Sequence, residues 1–252
     1  MKLIRGLATK KVRQEEGLFV AEGDKLVKEI LGGKGKQKYR VHSIYATTDW
    51  IEENGETLSG DHQIIEISPR ELKQLSAQQS PNQTLALAHI PENLSEDNNI
   101  TGVLSLGLHQ LRDPGNLGTI IRTADWFGIR HIICSPDSVD LYNSKVIQSS
   151  MGSFLRVNVI YRELEEVIRE QKVDKNYKIY ATAMKGDSIF KDNLMPGMIL
   201  LGNESHGLPD QLLNMADISL SIPHHDPDSH AESLNVAATA AIICAEFRRQ
   251  GI

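Results

Sequence analysis

Cysteine is scarce in this chain: 252 residues contain two, Cys134 and Cys244. Both lie in apolar runs and have no metal-ligand spacing. That excludes a disulfide scaffold and a cysteine-built zinc site, and it points to buried thiols in a reducing cytoplasm. No run of eighteen apolar residues occurs, so no membrane-spanning helix is expected. The opening stretch MKLIRGLATKKVRQEEG lacks the apolar h-region of a secretory signal. Internal repeats and low-complexity tracts are missing too. So is G-x-G-x-x-G: where a dinucleotide-binding turn would stand, the chain reads DPGNLG, which argues against an ordinary Rossmann nucleotide enzyme.

What is present is a globular composition, 40% hydrophobic and 24% charged, in a length that suits one large domain or two ordinary ones. Charge is unevenly spread. Residues 1–40 carry eleven Lys/Arg against five Asp/Glu, a net of +6, while the remainder carries sixteen against twenty-eight, a net of −12. A basic leading segment on an acidic body suits a polyanion partner held at one end, or else a solvated arm.

Residues 1–18 form a basic lead-in. Glu22–Leu31 places Leu26, Val27, Ile30 and Leu31 at helical spacing, and Gly32-Gly33 stops it. Val41–Thr47 and Gln63–Ile67 read as strands. Ser68-Pro69-Arg70-Glu71 opens a helix with a Ser-x-x-Glu capping box, and Thr84–Ile90 closes a small α/β domain. Pro91–Asn99 is polar with no apolar period and reads as a linker. The expected domains are therefore 1–92 and 101–252, joined by 93–100.

From Gly102 strands and helices alternate, the pattern of a parallel sheet with helices on its faces. Strands are expected at Gly102–His109, His131–Cys134, Val157–Tyr161, Lys178–Ala183, Met198–Leu201 and Ile218–Ile222. Helices are expected at Leu117–Phe127, Ser144–Met151, Glu163–Gln171 and Leu234–Arg249.

Three stretches carry candidate chemistry. In LRDPGNLGTIIRTADWFG, Asn116 reads as a helix cap, and Gly118, Arg122 and Asp125 share a stripe opposite the apolar one. A long cation one turn into that helix reaches an anion, or else pairs with Asp125. In MILLGNESHG, four apolar residues lead into a glycine-bracketed loop holding Glu204, the layout of a ligand loop at the carboxyl edge of an α/β sheet. In the third, strand ISLSIP runs through HHDPDSHAE into a long alanine-rich helix that begins near Ser233, with Ser233 and Asn235 in its first turn. That helix is apolar nearly all round through Cys244, so burial on two sides is expected, one of them against a second subunit. A rival reading takes His224, His225, Asp226, Asp228, His230 and Glu232 as metal ligands. The loop lacks helical H-E-x-x-H and cysteine, so no metal is expected.

Together the three stretches resemble the signature motifs of the SpoU (TrmH-like) branch of the SPOUT class, RNA 2′-O-ribose methyltransferases. The first supplies Asn116, Gly118 and Arg122; the second Gly202-Asn203-Glu204 and Gly207; the third Ile222-Pro223 and Ser233-Leu234-Asn235-Val236. The run LFVAEGDKLVKEIL also looks like that family's substrate-binding domain. One departure is that His224 stands where the family has methionine after the proline, in a loop about three residues longer.

The resemblance implies an α/β fold with a trefoil knot at its C-terminal end, S-adenosyl-L-methionine as cofactor, and a homodimer formed through the C-terminal domain. It implies cofactor contacts from backbone groups at Gly202, Ile222 and Leu234, and Arg122, Asn116, Glu204, Ser233 and Asn235 around the ribose hydroxyl and its phosphate. The expected activity is methylation of a ribose 2′-OH in structured RNA, ribosomal RNA ahead of tRNA. The alternative from another class is a catalytically silent knotted RNA-binding or ribosome-assembly protein.

Overall fold

The run Thr84–His89 (TLALAH) explains the N-terminal architecture. Its residues from Thr84 to Ala88 are all buried, which a strand achieves only when both faces of its sheet are covered. A computed structural model describes residues 1–32, 38–58, 62–78, 80–91, 100–191, 194–224 and 233–252. It divides into two units, Met1–Leu94 with Asp140–Arg156, and Ser95–Val139 with Val157–Ile252.

In the first unit, β1 (Leu18–Glu22), β2 (Val41–Ala46), β3 (Gln63–Glu66) and β4 (Thr84–His89) form a sheet of order β1-β4-β2-β3. Successive β4 side chains face opposite ways. Leu85 and Leu87 pack with Ile4 of α1 (Lys2–Gly6), with Leu7 at its C-cap, and with Leu72 and Leu75 of α5 (Pro69–Leu75). Ala86 packs on the other side with Val27 of α3 (Asp24–Leu31) and Trp50 of α4 (Thr48–Asn54). The capping box at Ser68 forms as expected: the Ser68 amide donates to Glu71 at 2.9 Å, and the Glu71 amide to Ser68 Oγ at 3.3 Å.

The basic lead-in is structured. It folds into α1 and α2 (Lys10–Glu16), and the LFVAE that follows is an edge strand rather than the approach to a helix. Arg13 is buried: its Nε and Nη2 donate to Asp140 Oδ2 at 2.9 and 2.5 Å, and its Nη1 to the carbonyls of Leu7 and Ala8. Asp140 begins an excursion that belongs to this unit although its sequence lies between two strands of the other. It carries α7 (Ser144–Ser150) and a 3-10 turn at Ser153–Leu155. Phe19 of β1 sits 4.8 Å from the Tyr142 ring and 6.1 Å from Phe154, with Tyr39 closing the cluster. Lys38 donates to the Phe154 carbonyl at 3.3 Å, and burial pulls its ammonium down to about 8.

The second unit holds a six-stranded sheet, every pair parallel, of order β10-β8-β9-β5-β6-β7. Its strands are β5 (Ser105–Leu108), β6 (His131–Cys134), β7 (Asn158–Tyr161), β8 (Lys178–Ser188), β9 (Gly197–Leu201) and β10 (Ile218–Ser221). The helices are α6 (Pro114–Trp126), α8 (Leu164–Gln171), α9 (Asp210–Met215) and α10 (Val236–Arg249). Strand β8 runs past the expected Ala183 and, after a bulge, pairs Asp187 and Ser188 with β10. At Gly186 a side chain would meet the Ser219 carbonyl, so that closer pairing needs glycine.

Helix α6 begins three residues earlier than expected, with Asp113 as its cap and Pro114 at the first position. Asn116 is therefore not the cap: its amide donates to Asp113 at 2.8 Å and its side chain is left for other work. Helix α10 instead starts two residues later than expected, at Val236, with Asn235 as its cap, so Ser233 and Asn235 stand before its first turn rather than in it. Both cysteines are buried and free, and burial pushes the Cys244 thiol up to about 12. No helix among the described residues is long and apolar enough to cross a membrane. Residues 92–99, which hold most of the expected linker, and 225–232, which hold all of the metal-capable loop except His224, lie outside the described residues.

Candidate active site

Strand order fixes where a ligand can sit. From β5 the chain moves outward through β6 and β7, then returns to the other side of β5 for β8 and β9. Strands β5 and β9 are thus neighbours whose following segments lead in opposite directions, and the crevice beyond their carboxyl ends is the topological switch point of such a sheet. The loop after β5 carries Gln110–Asp113, and the loop after β9 carries Gly202–Gly207.

The β9 loop is a closed hairpin. Asn203 and Gly207 exchange backbone hydrogen bonds at 3.1 and 2.9 Å. A Cβ on Gly202 would run into the backbone of Gly207 and Leu208, so only glycine allows the loop to turn back on itself. Inside it, Asn203 Oδ1 accepts from the amides of Ser205 and His206 at 2.9 and 3.3 Å, an Asx turn that fixes the path through Glu204. Asn203 Nδ2 reaches out of the loop and donates to the Gln110 carbonyl at 2.9 Å.

Gln110 is held from both ends. It is one of two non-glycine residues with positive φ among the described residues (φ 50), a conformation that costs about 1–2 kcal/mol for an L-residue. Its amide donates to Ser135 Oγ at 2.8 Å, and Ser135 in turn donates to Asp137 at 2.6 Å. The next amide, Leu111, donates to Ser138 Oγ at 3.2 Å. The loop after β6 therefore clamps the loop after β5, and that loop anchors the hairpin of β9.

The three candidate stretches meet at Asn116. Its Nδ2 donates to Glu204 Oε1 at 3.0 Å, and its Oδ1 accepts from Asn235 Nδ2 at 3.0 Å. Asn235 cannot turn its amide round, because its Oδ1 already accepts from Ala237 and Ala238 at 2.9 and 3.3 Å as the cap of α10. Donation thus runs one way, from the start of α10 through Asn116 to the carboxylate.

Arg122 and Ser233 are exposed and make no hydrogen bond or ion pair with a described residue. The alternative reading, an Arg122–Asp125 pair, does not form. Gly118 is buried rather than on the exposed stripe, and the exposed neighbours of Arg122 on α6 are Thr119 and Trp126. The three cofactor candidates share another property. Gly202 and Ile222 follow the last residues of β9 and β10, and Leu234 precedes the cap of α10. The backbone of none of them hydrogen-bonds to a described residue. Free amides and carbonyls at the carboxyl edge of a sheet are what a polar ligand requires. Among the described residues no cluster could hold a metal ion.

A family model of the SpoU rRNA methylases matches residues 103–245. The chain belongs to that family. A second model, of an MRM3-like substrate binding domain, matches residues 1–86. The 23S rRNA (guanosine(2553)-2′-O)-methyltransferase RlmP of Bacillus subtilis (strain 168) is 31% identical over 96% of this chain and 93% of its own length. A TrmH-family structure from Porphyromonas gingivalis, 31% identical, matches 99% of this chain and 96% of its own with a TM-score of 0.84. An AdoMet-bound rRNA methyltransferase from Sinorhizobium meliloti, 27% identical, matches 100% and 94% with a TM-score of 0.85. For a SpoU-family chain, the residues that sequence reasoning missed are Gln110, Asn203 in its outward role, Ser135 and Ser138. Positive φ at Gln110 has no signature in the residue itself, and Ser135 acts on a backbone amide 25 residues away.

Proposed function

We infer that this protein transfers a methyl group from S-adenosyl-L-methionine to a ribose 2′-hydroxyl of RNA, and that the RNA is ribosomal. The observation that carries the reading is the hydrogen-bonded line Asn235–Asn116–Glu204, which joins the three segments at the switch point. The ribosomal target is supported by the Bacillus subtilis relative, whose likeness extends over the N-terminal unit as well as the catalytic one. The free backbone groups at Gly202, Ile222 and Leu234 suit the adenine and ribose of the cofactor, which supplies an electrophilic methyl on a sulfonium.

A sugar hydroxyl is a weak nucleophile, so the site must orient it, stabilise the charge it develops and take up its proton. Arginine hardly deprotonates and does not serve as the base. The unpaired guanidinium of Arg122 binds the phosphate next to the target ribose in bidentate fashion and stabilises the developing alkoxide. Glu204, its carboxylate fixed by Asn116, orients the hydroxyl together with that phosphate and is the group placed to accept its proton. Ser233, exposed beside the cap of α10, completes the rim.

Two further features belong to this reading. The C-terminal segment is threaded as the trefoil knot of the family, consistent with Asn235 reaching Asn116 beside the loop after β5. The protein acts in the cytoplasm as a homodimer: α10 leaves Ala238 and Ala245 exposed and Ile242 half-exposed, and Trp126 of α6 is 85% exposed.

Mapping 2′-O-methyl groups in RNA from a strain lacking the gene, with and without complementation, tests the activity and names the nucleotide. One ribosomal position is expected to lose its mark. For the clamp, Arg122→Lys is expected to lower turnover about 100-fold, the usual scale for removing one charge-stabilising donor. Full turnover in that variant would rule the bidentate phosphate contact out.

A further inference from the structure

The two faces of the N-terminal sheet are unequal in charge. Helices α1, α2 and α5 cover the face to which Leu85 and Leu87 point, with Val12 tying α2 to the same cluster. Their outer surface exposes Lys2, Arg5, Lys10, Lys11, Arg70 and Lys73 against three carboxylates, Glu15, Glu16 and Glu71. Lys2, Lys10, Arg70 and Lys73 make no hydrogen bond or ion pair with a described residue. Lys11 and Glu15 pair at 3.8 Å with both side chains mostly exposed, a contact worth little.

The opposite face inverts the sign. Helices α3 and α4 carry Asp24, Glu29, Asp49, Glu52 and Glu53 against Lys25 and Lys28. Lys28 is engaged by Asp24 at 2.7 Å. That face is also partly built over, because the Phe19 ring, which points there, packs against Tyr142 and Phe154 of the excursion. Arg156 of the excursion lies 3.6 Å from Glu29.

We propose that the α1–α2–α5 face of the N-terminal unit is the RNA-docking surface, holding the phosphate backbone of the substrate through its unpaired cations. The proposal rests on the RNA reading above and adds to it the side of the sheet on which the substrate lies. Phosphates are strong, closely spaced anions, and free surface ammonium and guanidinium groups gain most from them by displacing condensed counterions. An acidic face repels the same ligand. Such contacts position an RNA without reading its sequence, so the surface supplies affinity while the switch-point site selects the nucleotide.

The test compares two variants that lower net charge equally. Lys10→Gln/Arg70→Gln/Lys73→Gln removes three cations from the proposed face. Lys25→Glu/Lys28→Gln removes the same total charge from the other. Total RNA from the strain lacking the gene is the probe, titrated by filter binding from 50 to 300 mM salt, with calorimetric cofactor binding as the check on folding. Each phosphate contact contributes about 0.7–0.9 to the slope of log affinity against log salt, so the first variant is expected to lower the slope by about 2. Its affinity near 150 mM salt should fall roughly tenfold, the second variant's less than twofold, with cofactor binding unchanged in both. Equal losses in the two variants, or an unchanged slope in the first, would overturn the proposal. The parent reading fails separately: it falls if the unaltered protein methylates no RNA, whatever the two variants do.

Discussion

Asn116 owes its position to the residue three places before it. With Asp113 capping the helix, the Asn116 amide is satisfied locally and its side chain is free to accept from Asn235 while donating to Glu204. An amide does both at once, whereas an ionised carboxylate only accepts, which explains asparagine here rather than aspartate. Behind it lies a second layer. Ser135 accepts the amide of Gln110, and the Gln110 carbonyl anchors Asn203, whose turn sets Glu204. Ser135→Ala would strand a half-buried amide, at a cost of about 1–3 kcal/mol, and release Gln110 from its strained conformation. The expected outcome is a drop in kcat of about tenfold or more with KM for the cofactor little changed, because small displacements of a positioning group act on rate. Ser135→Thr keeps the hydroxyl and should restore kcat. A Ser135→Ala enzyme that only melts earlier, with normal kcat, would reduce the residue to a packing role. That Asn116, Glu204 and Asn235 come together is what the resemblance of their three motifs implies, although the cap expected at Asn116 is supplied by Asp113. Ser135 was not, since its partner is a distant backbone amide that no spacing encodes.

Among the elements, all six parallel strands were legible in place, His131–Cys134 without change, because short apolar runs bounded by turn residues have few other uses, though β5 starts at Ser105 rather than the expected Gly102. Edges were less so. Strand β1 was hidden because LFVAE abuts a helix, so the two patterns ran together. Strand β8 extends beyond the expected Ala183 because Lys185-Gly186-Asp187, polar and exposed, carry no strand signal, yet Asp187 and Ser188 pair with β10. Helix α10 shows a division of labour along its length. Its far end is tied down by Glu246, whose carboxyl is held at about 2 by hydrogen bonds from Arg249 and Gln250, and by Arg248, which donates to the carbonyls of Phe127 and Gly128 just past α6. Between its first turn and that end it leaves Ala238 and Ala245 exposed and Ile242 half-exposed. If the proposed homodimer forms through α10, Ile242→Glu is expected to halve the mass read by light scattering at micromolar concentration, with the helical circular dichroism preserved. A dimer that persists unchanged would move the interface elsewhere.

At the scale of the whole molecule, the division into a basic N-terminal part and an acidic remainder was readable from charge counts, but its meaning was not. The charge counts leave a polyanion-binding segment and a solvated arm equally open; the lead-in is two packed helices whose most buried cation, Arg13, is spent on Asp140. The cations that remain outside are sorted by sheet face, an arrangement that depends on which side of β4 each helix covers. Periodicity gives the apolar side of a helix, not the side of the sheet it will occupy.

The excursion at Asp140–Arg156 makes the first unit discontinuous in sequence, and this gives the peptide connection through residues 92–99 an unusual status: cutting it is expected to leave the protein in one piece. A protease cut there leaves a front fragment whose Phe19 and Arg13 still need Tyr142, Phe154 and Asp140 from the rear one. Nicked protein should elute from gel filtration as a single undivided peak and separate into two bands only under denaturant; two native peaks would mean that the borrowed segment does not hold the halves together. A gene for the front ninety residues by itself would leave those aromatics bare, so the substrate-binding part is not a portable module.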